Sequence, residues 1–514
     1  MRFKPPVMMQ MRYHRLVIRH WLHRITTLTV LVLLTALSQA VAANTLYADS
    51  KPGPNIVLIM VDDMGYGDPG CYNPASNIPT PHIDSLARDG MRFTDAHAPG
   101  PLCHMSRYGL LTGRYPFRTD VSRWRKQPLL ESGRTTIASL LKTQGYHTAM
   151  VGKWHLGFEE NGYDKPLPGG PVDRGFDRYF GIRASTDIPP YFYIRGNQAV
   201  SPPTNRIAAN NSPGWSPIQG AFWREGGIAP DLELKNVLPR FTEEAIGVIG
   251  DHVARNKTNG TDQPLMLYLA YPAPHTPWLP SPKYQGQSGA SMYGDFAVMV
   301  DAMIGRVLKS LDDHGMADNM LLIFTSDNGP VWFESDVERF GHDASGGLRG
   351  MKADAWECGH RMPFLVRWPG KVKAASVTDQ TICFTDLLAT FASIVDAELP
   401  AEAGPDSFDF SSVLLGTQPE KKPVRDALVI RSGGGMMTIR VGDWKLISGL
   451  GSGGFSQPRR VKPGPGDPPG QLYNLAVDLG ETNNLYADEP AIVQTLLEKL
   501  KKIRASERSR PTDD

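Results

Sequence analysis

Residues 55–61 (Asn-Ile-Val-Leu-Ile-Met-Val) and 320–326 (Met-Leu-Leu-Ile-Phe-Thr-Ser) are continuous apolar runs. Runs of this kind form strands buried on both faces of a parallel sheet, and such a sheet needs helices on either side. Each run ends in oxygen donors, Asp62-Asp63 after the first and Asp327-Asn328 after the second. Adjacent carboxylates at the end of a buried strand repel unless a cation or basic group lies between them. In open α/β sheets, ligands bind outside the carboxyl ends of the strands, which is where both pairs fall. Two carboxylates from one strand, and a carboxylate with an amide oxygen from another, suit Ca2+ or Mg2+ rather than Zn2+.

The rest of the chain extends this pattern. Further interior strands are expected at 146–151, 265–270 and 364–370, and helices at 81–90, 135–142, 241–255, 299–311 and near 385–395. The fold class predicted is α/β, a large mixed, mostly parallel sheet flanked by helices. A linker rich in Pro, Gly and acidic residues follows, and then a smaller C-terminal α+β unit. Its pieces are 437–441, a turn at Gly442-Asp443, 444–447, 471–475 and a closing helix over 491–503. The expected boundaries are 51–400 for the catalytic domain and 401–514 for the C-terminal subdomain, whose sheet should be antiparallel. Residues 187–230 have no clear period and read as a long insertion at the mouth of the site. Its Tyr191, Tyr193, Trp215 and Trp223 could form a platform for a ring-shaped substrate or pin the loop to the body.

The first residues stand apart. Arg12, Arg15, Arg19, His20 and Arg24 precede an apolar run at 28–37, and Ala40-Val41-Ala42 offers a signal-peptidase site. Residues 1–42 therefore read as a signal peptide, which implies a periplasmic or secreted protein. The run is well short of the ~20 residues of a spanning helix, so no stable membrane anchor is expected. A net charge of +1 leaves no global field favouring nucleic acid. Four cysteines, Cys71, Cys103, Cys358 and Cys383, are too few for a disulfide scaffold. Asn210, Asn256 and Asn259 begin glycosylation sequons, meaningful only on a eukaryotic secretory route.

Candidate chemistry clusters at three more places. Pro101-Leu102-Cys103-His104-Met105-Ser106-Arg107 leads into the apolar stretch that ends at Thr112-Gly113-Arg114. It reads as a reactive group at a loop-to-helix junction, where unpaired backbone N–H groups face an anion. Gly152-Lys153-Trp154-His155-Leu156-Gly157 follows a strand, and in extended backbone Lys153 and His155 would point the same way. His275, held between Pro274 and Pro277 at the end of another strand, is well placed to donate a proton.

The stretch around Cys103 resembles the C-x-P/A-S-R-x-x-x-x-T-G-R signature of the type I sulfatases, with Met105 where that family usually has Pro or Ala. V-D-D-x-G-Y-G-D at 61–68, G-K-W-H-L-G at 152–157, G-F-D-R-Y-F-G at 175–181 and P-H-x-P at 274–277 resemble further family blocks. So do L-R-G-x-K at 348–352, W-E-x-G-x-R-x-P at 356–363, G-D-W-K-L-I at 442–447 and L-Y-N-L at 472–475. Cys358 stands where the family has Gly.

The resemblance implies an alkaline-phosphatase-like fold and sulfate-ester hydrolysis. In that family the cysteine is oxidised after synthesis to formylglycine, whose hydrated aldehyde attacks the sulfur of a sulfate ester. Carried over residue by residue, Asp62, Asp63, Cys103, Asp327 and Asn328 would hold the cation, Ca2+ or Mg2+. Arg107, Lys153 and Lys352 would concentrate positive charge on the sulfate, and Ser185 would offer it a hydroxyl. His155 would take a proton from the formylglycine hydroxyl, and His275 or Lys352 would protonate the departing alcohol. The implied partners are a sulfated small molecule or carbohydrate as substrate and a formylglycine-generating maturation enzyme. The same scaffold also hosts phosphomonoester, phosphodiester and phosphonate hydrolases. A carbohydrate-binding relic left unmatured because of Met105 is the non-enzymatic alternative. Arg123, Trp124, Arg125 and Lys126 form a short basic stretch that could meet a polyanionic sugar or simply be solvated.

Overall fold

A computed structural model describes Met1 and residues 53–511; apart from Met1, the expected signal at 1–42 lies outside the described residues. The first apolar run is strand β1 (Asn55–Asp62), with Ile56 to Val61 wholly buried. It is followed by β2 (Met91–His97), β3 (His147–Lys153), β4 (Arg178–Ile182), β5 (Ile194–Arg195) and β6 (Gln198–Ala199). Then come β7 (Asn205–Ile207), β8 (Gly226–Ile228), β9 (Leu265–Pro274), β10 (Met320–Ser326), β11 (Arg361–Arg367), β12 (Ser376–Thr378) and β13 (Ile382–Cys383). Strands β7 and β8 pair as a separate ribbon. The others form one eleven-stranded sheet in the order β12-β2-β11-β10-β1-β9-β3-β4-β5-β6, with β13 also on β2.

The centre of this sheet, β10-β1-β9-β3-β4, is wholly parallel. Five carboxyl-terminal strand ends therefore lie along one edge. Strand β11 runs antiparallel to β10, which brings the segment leading into it back to the same edge. Parallel neighbours need crossovers, and helices supply them. Val237–Asn259 and Ser291–Asp313 pack on each other and on β9, while Cys103–Thr112 and Ile137–Thr143 pack against Leu387–Ile394. The helix expected at 241–255 begins earlier because Pro239 falls in its first turn, where a missing N–H breaks no intrahelical bond.

The insertion at 187–230 is more regular than its composition suggests. Strands β5 and β6 extend the large sheet antiparallel from β4, and Tyr191 and Tyr193 are buried. The Tyr191 hydroxyl donates to the Arg224 carbonyl at 2.7 Å, and Trp215 packs among Trp278, Trp332 and Phe340. These aromatics pin the loop, and none of them lines the cleft described below.

The C-terminal strands β14 (Leu428–Arg431), β15 (Met437–Val441), β16 (Trp444–Ile447) and β17 (Gln471–Asn474) form an antiparallel sheet covered by the helix Pro490–Ala505. A buried chain of polar contacts ties it to the large sheet. Lys445 Nζ lies 2.9 Å from Glu357 Oε1 and 3.4 Å from His360 Nε2, and His360 Nδ1 lies 2.9 Å from His97 Nδ1. His97 Nε2 in turn lies 2.9 Å from Asp95 Oδ1. One assignment satisfies every ring nitrogen: Lys445 donates to His360, His360 to His97, and His97 to Asp95.

Candidate active site

The shared sheet edge collects the expected residues. Strand β1 ends in Asp62-Asp63, β10 leads into Asp327-Asn328, and β9 leads into His275. Strand β3 ends at Lys153, just before His155, while Ser185 follows β4 and Lys352 lies ahead of β11. Cys103 is the first residue of the helix Cys103–Thr112, which Gly113 closes in left-handed conformation at φ 62°, and Arg107 lies one turn on. The 55–61 and 320–326 runs pair in register, so the acids that follow them are neighbours: the Asp63 N–H lies 3.4 Å from Asp327 Oδ1.

Three non-glycine residues here hold positive φ: Asp63 at 64°, His155 at 59° and Ala353 at 73°. Such conformations are costly for ordinary side chains and cluster where function requires them. The kink at His155 corrects one expectation. Lys153 and His155 do not alternate in extended backbone; Lys153 turns down to pair with Asp62, and His155 packs edge-on against Trp124 at 4.3 Å.

The charges interlock. Asp62 pairs through Oδ2 with Lys153 and, at 3.3 Å, with Arg107; its Oδ1 lies 3.4 Å from Cys103 Sγ. Arg107 donates to Asp327 Oδ2 from Nη2 and Nε at 2.7 and 3.0 Å, and to the Lys153 carbonyl at 2.9 Å. Asp63 Oδ1 accepts from Asn328 Nδ2 and Lys352 Nζ, each at 2.6 Å, and its Oδ2 lies 3.6 Å from His275 Nε2. Lys352 Nζ is also 3.4 Å from Cys103 Sγ.

Burial raises carboxylate pKa values, but at Asp62 the charges of Lys153, His275, Arg107 and Lys352 outweigh it and hold the group well below the usual range. Asp327 is the member of the pair pushed up, by burial and by the Asp62 charge. Burial lowers the His155 pKa far below its ordinary value, and Lys153 beside it adds to the effect, so the ring is neutral. The Cys103 thiol is raised by burial and by Asp327 and Asp62, which leaves the unmodified side chain a poor nucleophile.

Ligand atoms of Asp62, Asp63, Cys103 and His275 lie within 4.8 Å of one another, a grouping that could hold a metal ion. Asn328 Oδ1 is buried beside them with no hydrogen-bond partner. Of the carboxylates expected as ligands, Asp327 falls outside that grouping, its Oδ2 taken by Arg107.

Above this layer opens a cleft of about 360 Å³ onto which Cys103, His155, Ser185, His275 and Lys352 face. Both ring nitrogens of His155, the Ser185 hydroxyl and Asp187 Oδ1 are buried there without hydrogen-bond partners. Buried polar groups are nearly always paired, so such a concentration marks a place where a polar ligand is received. Asp187 and His104 line the cleft but were not singled out as site residues, and Trp124 and Arg125 line it from the basic stretch at 123–126. The signal for Asp187 was its position just beyond the end of a parallel strand, the rule that located Asp62 and Asp327. The His104 pKa is lowered to about 3 by burial and by Lys153, and its ring lies 5.7 Å from that of His155.

Known proteins resemble this chain in sequence and fold. The family model described as Sulfatase matches residues 54–397. N-acetylgalactosamine-6-O-sulfatase of Bacteroides thetaiotaomicron is 32% identical over 511 residues, spanning 92% of this chain and 97% of its own. Human arylsulfatase A is 33% identical over 479 residues, spanning 88% and 87%. A solved structure described in connection with the metabolism of multiple glycosaminoglycans by Bacteroides thetaiotaomicron superposes with a TM-score of 0.77 at 31% identity, over 89% of this chain and 100% of that one. On the fold, the edge where the acids meet and these likenesses together, the chain belongs to the sulfatase family, enzymes that hydrolyse sulfuric esters.

Proposed function

We propose that this sulfatase cleaves a sulfate ester of a carbohydrate, using a formylglycine made from Cys103 and a divalent cation, Ca2+ or Mg2+. The observation that carries the reading is the set of unpaired buried polar atoms on His155, Ser185 and Asp187, gathered over the layer in which Lys153, Lys352 and Arg107 interlock with Asp62, Asp63 and Asp327. A sulfate group, with oxygens on all sides, would answer the unpaired Ser185 hydroxyl and Lys352 at once.

The donor set fits a hard cation: the ligands offered by Asp62, Asp63 and Asn328 are oxygens, and one of those oxygens, Asn328 Oδ1, lacks a partner. Asp62, Asp63, Asp327, Asn328 and the group at position 103 would hold the ion, which supplies Lewis acidity toward sulfate oxygens. Hydrated formylglycine supplies an oxygen nucleophile at position 103 and a second hydroxyl for its own regeneration.

The chain's own residues do the rest. Lys352, beside both Asp63 and position 103, and Lys153 beneath it stabilise negative charge that grows on the sulfate. Arg107 is buried beneath them, fixing Asp62 and Asp327. His155, neutral and with both nitrogens free, is suited to take a proton from the group at position 103. His275 is the better donor to the leaving alcohol, because Asp63, Cys103 and Asp62 outweigh burial at Lys352 and make it hold its proton tightly. The Thr276 carbonyl, 2.7 Å from His275 Nδ1, fixes that tautomer and leaves Nε2 for exchange. Asp187 Oδ1 is placed to accept a sugar hydroxyl. The arginine-rich start and the apolar run at 28–37 support export to the periplasm or medium.

The test is mass analysis of the peptide spanning Cys103 after co-expression with a maturation enzyme, together with turnover of sulfated sugars, an aryl sulfate and an aryl phosphate, with and without chelator. Formylglycine, chelator-sensitive sulfate release and little phosphate release are expected. An unmodified thiol that persists despite Met105-tolerant maturation, or faster phosphate release, overturns the proposal.

A further inference from the structure

The cleft has an outer region assembled from three distant parts of the chain. The 3-10 turn Val121–Arg125 brings Arg125, the insertion brings Arg224, and a loop beyond β16 brings Arg459. The last is tied down by its backbone. The Phe455 and Ser456 N–H groups donate to Asp354 Oδ1 at 2.7 and 3.1 Å, the Gly453 N–H donates to the Arg459 carbonyl at 2.8 Å, and Leu450 pairs with Val461. Two carboxylates line the cleft, and each is already met by a cation: Asp63 by Lys352 and Asp187 by Arg224. Arg125 and Arg459 are different. Both are exposed at the mouth, and among the described residues neither forms an ion pair. Since the chain as a whole carries a net charge of only +1, the excess is local.

We propose that Arg125 and Arg459 form a second anion subsite. The substrate is then a sulfated glycan that carries another negative group, a uronate carboxylate or a second sulfate, on the portion that projects from the scissile ester. The identity of the group that enters the inner site rests on the sulfate-ester reading above. A guanidinium presents a planar fork of donors matched to carboxylate and sulfate oxygens. Arg125 keeps its place through the Trp124 ring, 5.6 Å from its central carbon, and Trp124 itself packs against His155. Arg125 is thereby joined to His155 through a single side chain. Because both arginines line the same cleft of about 360 Å³ as Cys103, the group they meet is carried on the same or the adjoining sugar, and salt screens the attraction over roughly 8 Å.

The matured enzyme is assayed on four substrates: an aryl sulfate, a monosulfated hexosamine, that sugar joined to a uronate, and the same sugar bearing a second sulfate. The double variant Arg125→Ala/Arg459→Ala is expected to lower kcat/KM for one or both doubly charged sugars by about three- to tenfold, chiefly through KM. Turnover of the aryl sulfate and the monosulfated sugar should stay within about twofold. The two doubly charged arms tell carboxylate from sulfate recognition, and added NaCl should erase the advantage. Equal losses on all four substrates, or no loss on either doubly charged sugar, overturn the proposal. Calorimetric binding of the same sugars to Cys103→Ser separates the two readings. If no ester is cleaved but binding is weakened by the arginine variants, sulfate-ester hydrolysis fails and the anion subsite stands. If esters are cleaved and neither binding nor kcat/KM responds, only the anion subsite fails.

Discussion

Replacing Arg107 by Met tests the charge layer under the cleft most directly. The guanidinium is 1% exposed and makes four hydrogen bonds, two to Asp327, one to Asp62 and one to the Lys153 carbonyl. Met retains most of the apolar stem but leaves Asp327 in the interior without its counter-ion. Asp62 suffers less, since Lys153 still holds it. Removing one partner of a buried pair costs about 3–5 kcal/mol, and the orphaned Lys153 carbonyl adds about 1 kcal/mol or more. Urea unfolding followed by tryptophan fluorescence should therefore show a loss of about 4–6 kcal/mol with an unchanged slope.

Two further results sharpen that expectation. The double variant Arg107→Met/Asp327→Asn removes the unpaired charge as well, and should recover about 2–3 kcal/mol relative to Arg107→Met. The deficit should also depend on pH. Burial and Asp62 already raise the Asp327 pKa, and losing Arg107 raises it further. A raised carboxyl keeps its proton in the folded state, so the folded variant is least penalised below the unfolded value of about 3.9 and loses stability as pH rises through the folded value. A loss under about 1 kcal/mol, or a deficit that grows on acidification, would refute the assignment of Arg107 as the counter-ion of Asp327.

His275→Ala should lower kcat by about 10²–10⁴-fold on alkyl sulfates and much less on 4-nitrocatechol sulfate, whose leaving group needs no proton; steady-state kinetics on both substrates decides this. The buried Asp95, His97, Glu357 and His360 cluster predicts acid lability. Its carboxyls are held low, Asp95 by Arg361 and Glu357 by Lys445 against the effect of burial, while burial lowers both histidines. Depressed groups of either kind contribute stability that is present above their unfolded pKa values and lost as pH falls through the folded ones. Urea midpoints should therefore fall from about pH 6.5 downward, and His97→Gln should flatten the upper part of that fall. Asp187→Ala should raise KM for a sulfated sugar by about five- to tenfold and leave 4-nitrophenyl sulfate, which has no free hydroxyl, unchanged, because only the sugar offers a hydroxyl to its unpaired oxygen. Equal effects on the two substrates would count against that role.

Much of the architecture was readable in advance because strand burial leaves a mark on composition. The runs at 55–61 and 320–326 could be continuous and apolar only if both their faces were covered. The acids closing them could be adjacent and tolerated only if something positive met them. Those two facts pointed to one sheet edge with Asp62, Asp63 and Asp327 upon it, and the resemblance of the blocks at 103–114, 152–157 and 348–352 to sulfatase motifs implied that Cys103 and Lys352 join them. Folding decided which cation meets which acid. No pattern along the chain could say that Arg107 is spent on Asp327, that His155 takes a positive φ just after Lys153 has paired with Asp62, or that the insertion's aromatics serve the core. Nor could it bring Arg125, Asp187 and Arg459 to one cleft. Burial is a property of each strand and is written locally, whereas charge pairing joins residues hundreds of positions apart and exists only once the strands are side by side.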